Sequence, residues 1–85
     1  MRSVLRWGVE WHSINLLDGE TRELMWDDTR LLLFLTRREA REWSKQHYGY
    51  IKHRPDLRRE PHGWRLPRAV RVEVSIRKLG VEEAR

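Results

Sequence analysis

The sequence predicts an α+β fold in which a small antiparallel sheet of three to four strands packs one face against a single helix. Three observations lead to this prediction. Residues 4–11 and 70–77 alternate between apolar and polar side chains, which is typical of half-buried strands. Asp18-Gly19 is a hairpin turn signal, and Thr36 begins a helix-capping pattern. The predicted order of elements is β-β-β-α-loop-β.

The first two strands are predicted to form a hairpin. The apolar face of the first strand carries Leu5, Trp7, Val9 and Trp11. This strand could extend through Ile14 and Leu16. Because Asp and Gly both tolerate a positive φ, Asp18-Gly19 predicts a tight turn. The return strand is then expected from Thr21 to Trp26.

The run from Leu31 to Leu35 is apolar at every position, which indicates a central strand buried on both faces. A short apolar run also fits a buried helix, but the new helix start at Thr36 favours the strand. One helix can cover only one face of the sheet. The other face must then be covered by the basic segment 52–68, by a second copy of this chain or by another protein. Leu31, Leu33 and Leu35 are the candidate residues for binding such a partner.

The helix is predicted from about Arg37 to Tyr48. Thr36 and Glu39 have the spacing of a capping box, in which each side chain bonds the backbone N–H of the other residue. Gly49 is expected to end the helix in the left-handed conformation. Trp43 shares a helix face with Ala40 and is the predicted anchor on the sheet.

Three prolines predict that residues 52–68 form an irregular loop. The strand that follows is expected to point Val70, Val72, Val74 and Ile76 into the core. Residues 1–79 are predicted to form one domain, and residues 80–85 a frayed, charged tail.

The positive charge of the chain lies mostly in its second half. Residues 1–36 carry four basic and six acidic side chains, whereas residues 37–85 carry fourteen basic and seven acidic ones. The loop 52–68 is therefore a candidate nucleic-acid-binding site, since Arg suits phosphate oxygens and an exposed Trp can stack on a base. The candidate residues are Lys52, Arg54, Arg58, Arg59, Trp64, Arg65 and Arg68. Two alternatives stay open: an Arg-rich composition without a binding role, and a Trp64 that packs instead of stacking.

Nothing in the sequence points to catalysis, a metal or a cofactor. Cysteine is absent, and the four histidines have no helical metal-binding spacing. The acidic residues fall at predicted turns and strand ends, where solvated side chains are ordinary. The chain has no glycine-rich phosphate loop and no apolar run long enough for a signal or a membrane span. We therefore expect a non-enzymatic protein in the cytoplasm.

Residues 33–43, Leu-Phe-Leu-Thr-Arg-Arg-Glu-Ala-Arg-Glu-Trp, resemble the strand-to-helix step of many small bacteriophage proteins. The segment is also similar to the arm-type DNA-binding domain of tyrosine-family phage integrases. In that domain the helix follows three strands and closes the module, whereas here a long loop and another strand follow. Residues 48–51 and 63–67 also resemble small phage or prophage proteins.

This resemblance implies an accessory protein of a phage or prophage that would act in the host cytoplasm. Two hypotheses for its function remain open. The favoured one is binding to a host or phage protein, or to itself as a homodimer, because of the doubly apolar run. The alternative is binding of nucleic acid by the basic loop.

Overall fold

The computed structural model describes residues 2–80, and within them the chain forms strands, helices and one 3-10 turn. The strands are β1 (Arg2–Asn15), β2 (Gly19–Leu24), β3 (Trp26–Asp27), β4 (Arg30–Leu31), β5 (Leu33–Phe34) and β6 (Trp64–Ile76). The helices are α1 (Arg37–Tyr48) and α2 (Pro55–Arg58), and the 3-10 turn is Gly49–His53. The α+β class with an antiparallel sheet and one main helix is confirmed. The predicted tail lies, apart from Gly80, outside the described residues.

Strand β1 is the centre of the four-stranded sheet. On one side β6 runs antiparallel to it over almost its whole length, from Arg2↔Ile76 to Ser13↔Trp64. On the other side β2 pairs with the end of β1 and β5 pairs with Trp7 and Gly8. The predicted hairpin is confirmed, but β1 ends at Asn15, the turn is formed by residues 16–18, and of the Asp18-Gly19 pair only Gly19 has a positive φ, +72°. β2 ends at Leu24, and Trp26 belongs to the separate β3–β4 hairpin.

The predicted helix and its cap are confirmed. The Thr36 hydroxyl accepts a hydrogen bond from the Glu39 N–H at 3.2 Å, and the Glu39 carboxylate accepts one from the Thr36 N–H at 3.1 Å. The expected left-handed end at Gly49 is wrong, because Gly49 has φ −58° and donates its N–H to Lys45. The chain therefore continues from the helix into the 3-10 turn without reversing.

The prediction of a central strand from Leu31 to Leu35 is wrong. This run is divided into β4 and β5, each two residues long, and only β5 joins the main sheet. Leu31 and Leu33 are half-buried, whereas 69% of Leu35 is exposed. The segment is thus a short border of the sheet.

The irregular loop is shorter than predicted. Pro55 begins the single-turn helix α2, where its missing N–H costs no hydrogen bond. β6 already begins at Trp64 and passes through Pro67. At Pro67 the register shifts, so that two β6 residues oppose Trp11 alone. A proline can lie inside this strand because the bulge removes the need for its N–H.

The core lies between α1 and one face of the sheet. Val9, Ala40 and Ile51 are its buried apolar residues, and the Ser44 hydroxyl donates a hydrogen bond to the Pro67 carbonyl. The predicted alternation of β6 is confirmed from Val70 to Ser75, because the valines are half-buried and the residues between them are exposed, but Ile76 is exposed and the valines do not face α1. A Cβ on Gly8 would meet the Val72 and Leu24 side chains, so these residues share the sheet face opposite α1.

The described residues form an elongated body of 52 × 30 × 19 Å. The radius of gyration is 16.3 Å, compared with about 12 Å expected for a compact domain of this length. The length comes from the start of β1 and the end of β6. Residues 2–6 pair with 72–76, and within the described range no third strand joins them.

Candidate nucleic-acid interface

A groove runs between α1 and β6 and is lined by cationic side chains. Its charged residues are Arg37, Arg41 and Lys45 from α1, Lys52 from the 3-10 turn and Arg68 from β6. The remaining lining residues are uncharged: Ser44, Leu66, Pro67, Ala69 and Val70. The buried hydrogen bond from the Ser44 hydroxyl to the Pro67 carbonyl joins α1 and β6, the two walls of the groove. The groove is therefore lined by cationic residues from three elements, with no carboxylate among its lining residues.

Four of the five cations have no acidic partner. Among residues 2–80, no carboxylate oxygen lies within 4.0 Å of the charged nitrogens of Arg37, Arg41, Lys45 or Lys52. Arg68 is the exception, with its Nε at 3.7 Å from Glu10 Oε1. Unpaired cations in a shared groove raise the local positive potential, because field lines concentrate in a cleft.

The sequence-predicted loop cations do not form one site. Lys52 and Arg68 lie in the groove, but Arg54 makes two hydrogen bonds, at 2.8 and 3.0 Å, to the Asp56 carboxylate. The hydrogen bond from Arg54 lowers the pKa of the Asp56 carboxyl group from its ordinary value. The charge of Arg54 is therefore compensated locally.

Two other arginines of the loop bond backbone carbonyls. Arg65 donates to the carbonyls of Arg58, Gly63 and Trp64, and Arg59 donates to that of Pro55. Arg58, Arg59 and Arg65 border a separate hollow that also contains Asp56 and Glu60. The Glu60 carboxylate accepts a hydrogen bond from the Leu16 N–H. These contacts hold the loop against the end of β1.

Trp64 is half-buried and packs edge-on against Trp11, with ring centroids 5.3 Å apart, and against His62 at 5.2 Å. These contacts agree with the alternative in which Trp64 packs within the chain. Trp64 also borders a shallow aromatic hollow, together with Trp11, Trp26, Tyr48 and Tyr50. Glu23 also lines this hollow, so it lacks the purely cationic border of the groove.

Three groove residues were missed by the sequence-based choice: Arg37, Arg41 and Lys45. A signal for them was present, because residues four positions apart lie on one face of a helix. Neither the helix pattern nor the loop composition indicated that α1 would lie along the part of β6 that carries Arg68.

Within the described residues, no group of three or more His, Cys, Asp or Glu side chains could hold a metal ion. The helices found there are also too short and too polar to cross a bilayer. No family model, curated protein or solved structure matches the chain. The resemblance to phage proteins therefore stays a prediction.

Proposed function

We propose that this chain is a non-enzymatic nucleic-acid-binding protein and that the groove between α1 and β6 holds the phosphate backbone. The observation that carries the proposal is the set of four cations without an acidic partner among the described residues, Arg37, Arg41, Lys45 and Lys52, in one groove that has no lining carboxylate. This is the nucleic-acid hypothesis with a different set of residues. The groove replaces most of the Pro/Arg loop, since Arg54, Arg59 and Arg65 are occupied by contacts within the chain.

The spacing of the helix cations suits a chain of phosphates. Arg37, Arg41 and Lys45 follow one another at about 6 Å along the helix axis, so that they span about 12 Å. One strand of B-form DNA carries a phosphate every ~3.4 Å along its axis. The helix cations therefore extend over several successive phosphates, and Lys52 adds charge from the neighbouring 3-10 turn.

The test is the salt dependence of binding to short duplex and single-stranded oligonucleotides, measured by fluorescence anisotropy. We expect the affinity to fall steeply with salt, because bound cations release condensed counterions. The double variant R41Q/K45Q removes two groove charges. Its log–log salt slope should be smaller by about 1.8 on duplex DNA or about 1.4 on a single strand.

The matched control is R30Q/K78Q, which removes the same charge from exposed residues that do not line the groove. It should keep a slope close to that of the unmodified protein. Equal losses in both variants would indicate general attraction by net charge and would contradict a groove site. Absence of binding at low salt would contradict the function itself.

A second candidate function is protein binding through Leu31, Leu33 and Leu35. It is supported by the exposure of Leu35, a large apolar side chain directly after an edge strand. We expect L35E to lose a partner captured from nuclease-treated host lysate, because a carboxylate is costly to bury in an apolar interface. L16E is the control, since Leu16 is 90% exposed in the β1–β2 turn. Equal capture by both variants would contradict this candidate.

A further inference from the structure

Strand β6 has one open edge. It pairs only with β1 in the described part of the chain, and the β6 residues that line the cationic groove end at Val70. Natural sheets protect open edges with prolines, bulges or covering elements. β6 has such protection at its beginning, where Pro67, the bulge and α1 lie. From Val70 to Ile76 it has no proline and no bulge.

The sequence of this open segment is complementary to itself. If two copies of β6 pair antiparallel with Val72 opposite Val72, then Arg71 of each copy lies opposite Glu73 of the other. Val70 lies opposite Val74, so the apolar positions also match. Cross-strand pairs of opposite charge and of β-branched residues both stabilise a sheet. Between residues 68 and 76, no two like charges face each other in this register.

The side chains needed for this pairing are accessible. Arg71 and Glu73 are exposed, and Glu73 has no ion-pair partner within the described residues. The Arg71 guanidinium lies over the Trp7 ring, 5.0 Å from its centroid. This contact holds Arg71 on the same sheet face as Glu73, since both are odd-numbered positions of one strand.

The other free edge of the ribbon does not have this complementarity. Residues 2–6 of β1 contain two charged residues, Arg2 and Arg6, and both are cations. Self-pairing of this segment could therefore form no ion pair, and with Val4 opposite itself it would place Arg2 against Arg6. Charge thus favours β6 over β1 as the edge that joins two copies.

We infer that the chain forms a symmetric dimer through β6, with the two-fold axis at Val72. The two sheets join into one continuous antiparallel sheet, and the valines of both copies form one row on the face opposite α1. The interface is isologous, so each ion pair occurs twice. It is independent of nucleic-acid binding and of Leu31, Leu33 and Leu35.

A single cysteine tests the position of the axis, because the natural chain has none. In V72C the two cysteines would face each other with a Cα separation of about 4.5–5.5 Å, which a disulfide can bridge. We expect V72C to form a covalent dimer under mild oxidation. V74C is the control on the same face, because its copies would lie about 13 Å apart along the strand direction. Equal cross-linking in V72C and V74C, or none in V72C, would overturn the inference.

Sedimentation equilibrium on the unmodified chain and charge variants tests the same dimer without oxidation. R71E or E73R removes both symmetric ion pairs and places like charges opposite each other. The Kd of the dimer should therefore rise about 2- to 30-fold from the loss of the two pairs, and further from the repulsion. The double variant R71E/E73R restores opposite charges and should recover dimerisation. A monomeric unmodified chain, or unchanged dimerisation in both single variants, would contradict the proposed dimer through β6. Circular dichroism confirms that each variant is folded.

Discussion

Gly63 has a conformation and a position that no other residue type could occupy without distortion. Its φ is +64°, and a Cβ at this position would overlap the carbonyl group of Ile14. The Ile14 N–H donates a hydrogen bond to the Gly63 carbonyl at 2.9 Å. Gly63 therefore brings the start of β6 into direct backbone contact with the end of β1.

We expect G63A to lower the free energy of unfolding by at least about 1–3 kcal/mol, because it adds backbone strain and a steric overlap. Urea denaturation followed by tryptophan fluorescence would measure the change. The control is G49A, since Gly49 has a helical φ of −58° and open space around its Cα. G49A should be neutral or stabilising by up to about 1 kcal/mol. Similar losses in both variants would contradict this role of Gly63.

The anchoring of α1 depends on small residues more than the sequence indicated. Ala40 and Ser44 are buried against the sheet, whereas Trp43 is half-buried and stacks on His47 with centroids 4.3 Å apart. Small side chains let the helix approach the strand closely enough for the Ser44 hydroxyl to reach the Pro67 carbonyl. Trp43, which was predicted to be the anchor because of its size, therefore lies at the border of the contact between α1 and the sheet, whereas Ala40 and Ser44 lie at its centre.

At the level of elements, α1 is the part most completely predictable from sequence. Its cap is local: the Thr36 hydroxyl accepts from the Glu39 N–H, the Glu39 carboxylate accepts from the Thr36 N–H, and the two residues are only three positions apart. T36A should lower the free energy of unfolding by about 1 kcal/mol, whereas T36S should keep most of it. Thermal or urea unfolding of the two variants would measure this difference. Equal stability of T36A and the unmodified protein would show that the cap contributes nothing.

The apolar run from Leu31 to Leu35 did not predict how long the strand formed from it would be. Its composition favours burial, but a strand also needs a free stretch of backbone on a neighbour. β6 occupies one edge of β1, and β2 occupies the other edge from Glu10 to Asn15. β5 pairs with Trp7 and Gly8, and it does not continue along the free residues 2–6 of β1 because the helix cap at Thr36 follows Phe34 after one residue. The length of this strand is thus set by β2 at one end and by the start of α1 at the other.

The molecule as a whole is longer than a compact domain because β1 and β6 extend beyond the helix. An isolated two-stranded ribbon is only marginally stable in water. The projecting part, residues 2–6 with 72–76, is such a ribbon within the described chain. Dimerisation through β6 would add a third and a fourth strand beside it. The proposed interface therefore lies where the described fold has least support of its own.

Only the whole molecule shows which of the cations are paired with other groups of the chain. The excess of cations after residue 36 is visible in the sequence, but their partners are not. Arg54 finds Asp56 and Arg65 finds backbone carbonyls, whereas Arg41 and Lys45 face the groove without an acid. Two arginines of the same chain can thus differ in their ability to bind a phosphate, because one is already bonded within the described part of the chain and the other is not.

The sequence by itself determined the features that depend on a few neighbouring residues: the turn at Gly19, the Thr36 cap, the helix from Arg37 to Tyr48 and the alternation of β6. Each follows from backbone preferences or from hydrogen bonds within one turn or strand. The tertiary structure decided which distant residues meet. Lys45 and Arg68 share a groove only because α1 packs along β6, and that packing depends on contacts between segments far apart in the chain, which no local pattern records.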